Sequence, residues 1–325
     1  MIPPSLAFIL VSLFSLFGLV STAAVVTTKN ITVVSFNVLA PCWASSTYYP
    51  ASSVSKLDRV YRRGRIINYL NQAVASGASV IALQEVQIDE YPYFLNALKA
   101  SFDGNYSLHD DNYWASWITT DPPFARNGNA LFLKRDVFDQ ITFSDRALSN
   151  EGNHCVLATA REKTTLRSLR IASVHLDSDN SSRRNNELTS LMNQLPAQAN
   201  VIDILAGDYN AALSSGNLAN VIKVNNFLNA LDVLGIAEQT HPFTSSYNRN
   251  TNWGPIDHIA YRNCKVTGNA SVSNDGSPVI ENGVVDFSVW KLYPSGSTYE
   301  AQRISQNFDN CGSDHFPVKA TLLIQ

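Results

Sequence analysis

Residues 31–39 read ITVVSFNVL, with β-branched and apolar side chains on both faces of an extended segment, which is the pattern of a central strand covered on both sides. The run ends on a polar residue, Asn37, before the turn residues Ala40-Pro41. Outward from it, residues 57–74 place Leu57, Val60, Gly64, Ile67, Leu70 and Val74 at helical spacing, and Gly77-Ala78-Ser79 reads as a stop. Val80–Val86 is a second apolar strand and 91–99 a second helix. Strands are predicted at 130–134, 155–161, 168–176, 201–206, 256–261 and 316–323, and helices after Ser181 or Ser182 as cap and at 217–231. No internal repeat or linker divides residues 30–325, and long loops at 40–56, 104–128 and 239–255 rim one edge. The alternation predicts an α/β protein with sheet inside and helices outside.

Several predicted strands end in a side chain suited to metal or phosphate chemistry. These are Asn37 in VVSFNVLAP, Glu85 in VIALQEV, His175 in IASVHLD, Asp208 and Asn210 in ILAGDYNA, Asp257 in PIDHIAY, and Asp314 with His315 in CGSDHFPV. Each alone has a structural explanation, such as a capped loop or a satisfied core histidine. Repeated burial of unpaired carboxylates at strand ends is costly, so the series points to one shared site. Carboxylates, an amide and histidines without a cysteine suit a hard cation, Mg²⁺, Mn²⁺ or Ca²⁺, better than zinc.

The chain of 325 residues is 45% hydrophobic, which excludes a disordered polymer. Its 24 Lys+Arg against 27 Asp+Glu exclude a broad basic surface that coats polyanions, so a phosphate substrate has to be recognised locally. Arg59, Arg62, Arg63 and Arg65 form a basic run that reads as a solvated helix face, although Arg62 or Arg65 could pair with Glu85. Trp43, Tyr48 and Tyr49 follow the first strand and either stack on a base or pack over their own loop; Trp114, Trp117 and Trp253 read as core.

Residues 6–20 are uninterruptedly apolar and lead to Ser21-Thr22-Ala23-Ala24, which predicts a signal segment at 1–23 cleaved after Ala23, with 24–325 as one catalytic domain. A membrane anchor is the alternative, though a span takes ~20 apolar residues. Either places the domain outside the membrane, and secretion without stable membrane association is expected, with the chain a monomer. Four cysteines without a CxxC pair (Cys42, Cys155, Cys264, Cys311) predict two disulfides, with Cys42–Cys155 and Cys264–Cys311 favoured among the three pairings. Asn30, Asn105, Asn180 and Asn269 are possible glycosylation acceptors.

SFNVLAP, LQEV, VHLD, GDYNA, IDHI and SDHFPV, in this order over residues 31–324, resemble the endonuclease/exonuclease/phosphatase superfamily of metal-dependent phosphodiesterases. SFNVLAP and LQEV with EYPYF are similar to its deadenylase branch, SDHFPVKATL to secreted deoxyribonucleases, and HLDSD with RRNNEL to tyrosyl-DNA phosphodiesterases and their relatives. His258 stands where many members carry Tyr or Arg, and the arginine after GDxN typical of the inositol-polyphosphate branch is missing. The resemblance implies a four-layer α/β sandwich of two packed mixed β-sheets flanked by helices. It implies that Glu85 holds Mg²⁺ with Asn37 and Asp314 to ligate or orient it, and that Asp208 and Asn210 orient water and phosphate. Asp257 would hold His315 as general base or cationic stabiliser, and His175 would donate to a phosphate oxygen. The implied substrate is nucleic acid or a small phosphodiester. A sphingomyelinase-type lipid phosphodiesterase and a catalytically silent binding protein are the alternatives.

Overall fold

The computed structural model describes residues 27–46, 49, 51–109, 126–149, 152–213, 216–234, 255–272 and 305–325, the last five of the 255–272 segment by backbone alone. The expected signal segment, Tyr48, Trp114, Trp117, Trp253 and the Asn269 side chain lie outside the described residues.

Two six-stranded mixed sheets pack face to face. The first has the order β11-β12-β1-β2-β4-β3 and is built from Lys29–Asn37 (β1), Ala78–Gln87 (β2), Phe102–Leu108 (β3), Asn127–Lys134 (β4), Lys265–Val272 (β11) and Val318–Ile324 (β12). The second has the order β5-β6-β7-β8-β10-β9, from Phe138–Ala147 (β5), His154–Glu162 (β6), Ser168–His175 (β7), Val201–Asp208 (β8), Leu228–Asn229 (β9) and Asp257–Arg262 (β10). Each sheet has one parallel pair, β1 with β2 and β7 with β8, among antiparallel neighbours. Helices α1 (Arg59–Ala75) and α2 (Tyr91–Leu98) cover the first sheet, and α3 (Ser181–Gln194) and α4 (Gly216–Val224) the second. A short helical turn, α5, spans Ala230–Val233, and residues 305–311 are helical (α6).

Strand alternation assigns the layers. Ile31 and Val33 of β1 meet Ile171, Ile204 and Ile259 of the other sheet in the central core, whereas Val34 and Phe36 face Ile66, Tyr69 and Leu70 of α1. On the far side, Val174 and Leu205 pack against Leu188, Leu191 and Met192 of α3. Helix α1 is capped by the Asp58 side chain, and α3 by Asn180, one residue before the expected serine; its amide oxygen accepts from Ser182 N and Arg183 N.

The expected disulfides are not formed, and all four cysteines are thiols. Their layers explain this. Cys155 is buried between the second sheet and α3, while Cys42 is in the loop after β1. Cys264 follows the end of β10 remote from Asp257, whereas Cys311 sits just before Asp314 on the opposite edge, a strand of about 20 Å away. The solvated reading of the arginine run also fails at one position: Arg62 is 2% exposed. Arg59 and Arg63 pair with Glu90 instead of lying free. Asn30, Asn105 and Asn180 are exposed.

Candidate active site

The inward-facing rows of four strands change from apolar to polar at the same edge. On β1 the row runs Ile31, Val33, Ser35, Asn37; on β7 Leu169, Ile171, Ser173, His175; on β8 Ile202, Ile204, Ala206, Asp208; on antiparallel β10 it enters as Asp257 and continues with Ile259 and Tyr261. Asp208 is in register with both His175 and Asp257, so three of these side chains start as direct cross-strand neighbours. Only glycine fits at 207, since a Cβ there would stand 1.9 Å from the Val174 carbonyl oxygen. Beneath the edge, Gln84 bridges the sheets, accepting from Ser35 Oγ at 3.4 Å and donating to Ser173 Oγ at 3.1 Å.

Glu85 reaches the same edge by a different route. Regular alternation would place it on the face of Ile81 and Leu83, under α1. The β2–β4 register breaks between Leu83 and Val86, and Glu85 takes φ +54°, a left-handed conformation that re-aims its side chain. Its Oε2 accepts from Ala40 N at 3.1 Å and its Oε1 from Asn37 Nδ2 at 2.9 Å.

Asn37 is the hinge of the arrangement. Its Nδ2 also donates to Asp208 Oδ2 at 3.0 Å, while its Oδ1 accepts from Leu39 N at 3.0 Å. The amide thus turns its nitrogen to both carboxylates, a geometry that orients them, while its oxygen accepts one bond from the backbone. Around Asp208 Oδ2 stand His175 Nε2 at 3.7 Å and His315 Nε2 at 3.8 Å, too far for direct hydrogen bonds and wide enough for a bridging atom. Asn210, at φ +49°, donates Nδ2 to the Leu176 carbonyl, and its backbone N–H binds Asp208 Oδ1 at 2.7 Å. Asn210 therefore braces the 208–211 turn.

His315 Nδ1 lies 2.9 Å from Asp257 Oδ2, which leaves Nε2 facing Asp208. Burial by itself would depress the His315 pKa, but the charge and hydrogen bond of Asp257, with Asp208 and Asp314 behind it, raise it well above the usual 6.5. Asp314 Oδ2 accepts from Tyr49 OH at 2.8 Å. Tyr49 is buried edge-on against Phe308, so it supports Asp314 and is no stacking platform, while Trp43 is half-buried in the same small cluster.

Two groups of three could hold a cation: Glu85, His175 and Asp208, and Asp208, Asp257 and His315, with ligand atoms inside 4.8 Å of one another. The donor chemistry of the first group fits a hard divalent ion. Glu85 Oε1 and Asp208 Oδ2 converge on one neutral amide, and among the described residues no Lys or Arg pairs with either.

Three contributors escaped the sequence reading. His109 follows β3, is buried, and its ring lies 6.2 Å from that of His175. Its Nδ1 accepts from His154 N, and burial holds its pKa down to about 3. Ser313 donates to the Asn37 carbonyl at 2.7 Å and joins the two ends of the site. Arg62 is the third. His109 and Ser313 carry no pattern that a sequence reveals, because their partners come from distant strands. His258, by contrast, faces away from Asp257, with its ring nitrogens on Asn229 and the Ala211 carbonyl, and so supports the 208–211 turn from outside.

A family model described as the Endonuclease/Exonuclease/phosphatase family matches residues 34–315. The chain belongs to that family. The match runs from β1 through the Asp314-His315 pair and so includes every residue of the site. No curated protein matches the chain by sequence. Among solved structures, ANGEL2, a 2',3'-cyclic phosphatase bound to adenosine-2',3'-vanadate, is similar at TM-score 0.62 and 14% identity, over 91% of this chain and 96% of that one. D. rerio TDP2 with a single-strand DNA product gives 0.57 and 14%, over 90% and 99%. A mannosyl-6-phosphatase of Bacteroides thetaiotaomicron gives 0.58 and 18%, over 90% and 99%. These likenesses establish the four-layer fold of the family.

Proposed function

We propose that this family member is a divalent-metal-dependent hydrolase of phosphate esters, acting on phosphodiesters of nucleic acid or nucleotide-like molecules. The observation that carries the reading is the convergence of Glu85, Asp208 and the Asp257–His315 pair around a gap at one sheet edge. Glu85 and Asp208 would hold the ion, with Asn37 fixing their oxygens. Bound there, a divalent cation supplies neutralisation of phosphate charge and polarisation of the phosphorus. A phosphodiester resists attack until that charge is offset, so donors have to converge on one phosphate group.

The chain's own residues divide the remaining work. Asp208 Oδ2 accepts a proton-bearing group, which suits the orientation of an attacking water. His315, held through Nδ1 by Asp257, would present Nε2 to a phosphoryl oxygen, and His175 would present its Nε2 from the neighbouring strand. The Asp257 contact fixes the ring so that either role, proton acceptor or cationic stabiliser, runs through Nε2. Nucleotide-like substrates are supported by the ligands of two similar structures, an adenosine-vanadate and a single-strand DNA product. The apolar N-terminal segment supports export, either cleaved or as a signal anchor with the domain outside, and among the described residues no helix is long and apolar enough to cross a membrane.

The test is hydrolysis of RNA, single-stranded DNA, a 2',3'-cyclic nucleotide and sphingomyelin with EDTA, Mg²⁺ or Mn²⁺. Cleavage of a nucleic-acid substrate only with metal is expected. Full activity in chelator, or cleavage of sphingomyelin alone, overturns the reading.

A further inference from the structure

We propose that Arg62 is a positioning residue that holds the Glu85 side of the site and the His315 side at their working separation, an inference that rests on the functional reading above. Arg62 sits in the first turn of α1 with its guanidinium fully buried and 5.9 Å from the Phe308 ring centre. A buried arginine normally meets a carboxylate, because an unpaired interior charge is expensive. This one meets carbonyls. Nε donates to Gly312 O at 2.8 Å, and Nη2 donates to Val38 O at 2.7 Å and to Leu39 O. Nη1 has no partner, and among the described residues no ion pair includes Arg62. Its neighbours Arg59 and Arg63 take up Glu90.

The three carbonyls belong to the two loops that carry the site. On one side, Leu39 N binds Asn37 Oδ1 and Ala40 N binds Glu85 Oε2. On the other, Gly312 precedes Ser313, whose Oγ binds the Asn37 carbonyl and accepts from His315 N at 3.1 Å. A shift of either loop therefore moves a carboxylate or the imidazole directly. The fork also explains Gly312. At φ +76° its backbone lies so close to α1 that a Cβ would stand 2.5 Å from the Arg62 carbonyl oxygen. Burial lowers the Arg62 pKa on balance, and the carboxylates of Asp314, Glu85 and Glu90 offset part of that penalty. One planar guanidinium thus clamps both halves, a task that a single-point ammonium cannot reproduce.

The experiment compares wild type with Arg62→Lys, whose folding is checked by thermal unfolding. Mn²⁺ binding is titrated calorimetrically without substrate, and kcat and KM are measured on bis-p-nitrophenyl phosphate with saturating Mn²⁺. The expected result is Mn²⁺ affinity and kcat both lower by 10–100-fold, the range for groups that orient metal ligands, with KM within about twofold. A folded Arg62→Lys with Mn²⁺ affinity and kcat within twofold of wild type overturns the proposal. Wild type that binds Mn²⁺ but hydrolyses no phosphodiester defeats the functional reading, and the Mn²⁺ titration still decides the positioning role. Wild type that binds no Mn²⁺ overturns both. If Arg62→Lys does not fold, hydrogen exchange of wild type replaces it. Mg²⁺ should then slow the Leu39, Ala40 and His315 amides together, and an unchanged pattern at these amides overturns the proposal.

Discussion

His315 and Asp257 stand 58 positions apart in the chain and meet through Nδ1 and Oδ2 at 2.9 Å, deep under the edge where the two sheets join. Asp257 holds the imidazole by this bond, so its effect on chemistry is expected to run through His315. Asp257→Asn and His315→Ala should each slow single-turnover hydrolysis by a similar factor, on the order of 10²–10⁴. The double variant should cost little more than His315→Ala, because residues that act as a unit are non-additive. Fully additive losses in a double-mutant cycle at saturating Mg²⁺ would show that the two act separately.

Glu85→Gln keeps the volume but removes a charge from the pair that Asn37 holds together, and its amide nitrogen cannot accept one of the two bonds from Asn37 Nδ2 and Ala40 N. Activity should fall by at least about 10², with the metal requirement shifted to higher concentration. Near-normal rates at ordinary Mg²⁺ would remove Glu85 from the ion site.

His258 and His109 give the fold an acid limit. Burial lowers their pKa values to about 4 and about 3, below the ordinary value of 6.5, so both rings are neutral in the folded protein. Between pH 6.5 and about 4 the unfolded chain takes up protons that the folded chain refuses, so stability falls as pH falls through this window. His258 alone accounts for a loss on the order of 3 kcal/mol over that window. His315 has the opposite sign: its raised pKa contributes stability that is fully present below pH 6.5 and is lost as pH rises from there through its folded value. Urea unfolding at pH 7 and pH 4.5 should show a steep loss in wild type and a shallower one in His258→Gln. Equal slopes would refute the assignment.

Cys155 and Cys264 should be inert in the native protein, since burial pushes each thiol pKa up to about 12 and little thiolate exists at neutral pH. Iodoacetamide at pH 7.5 should leave both unlabelled until the chain is denatured, and then label both without added reductant. Failure to label after denaturation would restore the disulfides that the sequence suggested.

The fold was legible where apolar rows are long. β1, β2, β7, β8 and α1 all stand within a few residues of their sequence-derived limits, because two-sided burial leaves a continuous hydrophobic run. Phe102–Leu108, Phe138–Ala147 and Lys265–Val272 were not anticipated as strands. β3 and β5 are sheet-edge strands with half-exposed, polar-rich sequences such as FDGNYSL and FDQITFSDRA, which lack the alternation that marks a strand. The single helix expected at 217–231 breaks at Asn225-Asn226 into α4, the short β9 and α5, since the edge of the second sheet takes Leu228–Asn229 as a strand. Within the site, polar residues that end apolar strands were visible; the hydrogen bonds that aim them were not. Asn37 could be found from sequence, but the turning of its amide depends on Leu39 N, and the burial of Arg62 depends on a loop 250 positions away.

β1 is hydrogen-bonded on one side to β2 and on the other to β12, whose residues lie up to 295 positions further along: Lys29 pairs with Ile324. The strand at the centre of the first sheet therefore waits for the far end of the polypeptide, a high-contact-order closure that is slow relative to local pairing. Asp314 and His315 enter with that closing strand. The imidazole of His315 thus reaches Asp257 only once β12 has joined β1, so ordering of the site is coupled to closure of the sheet.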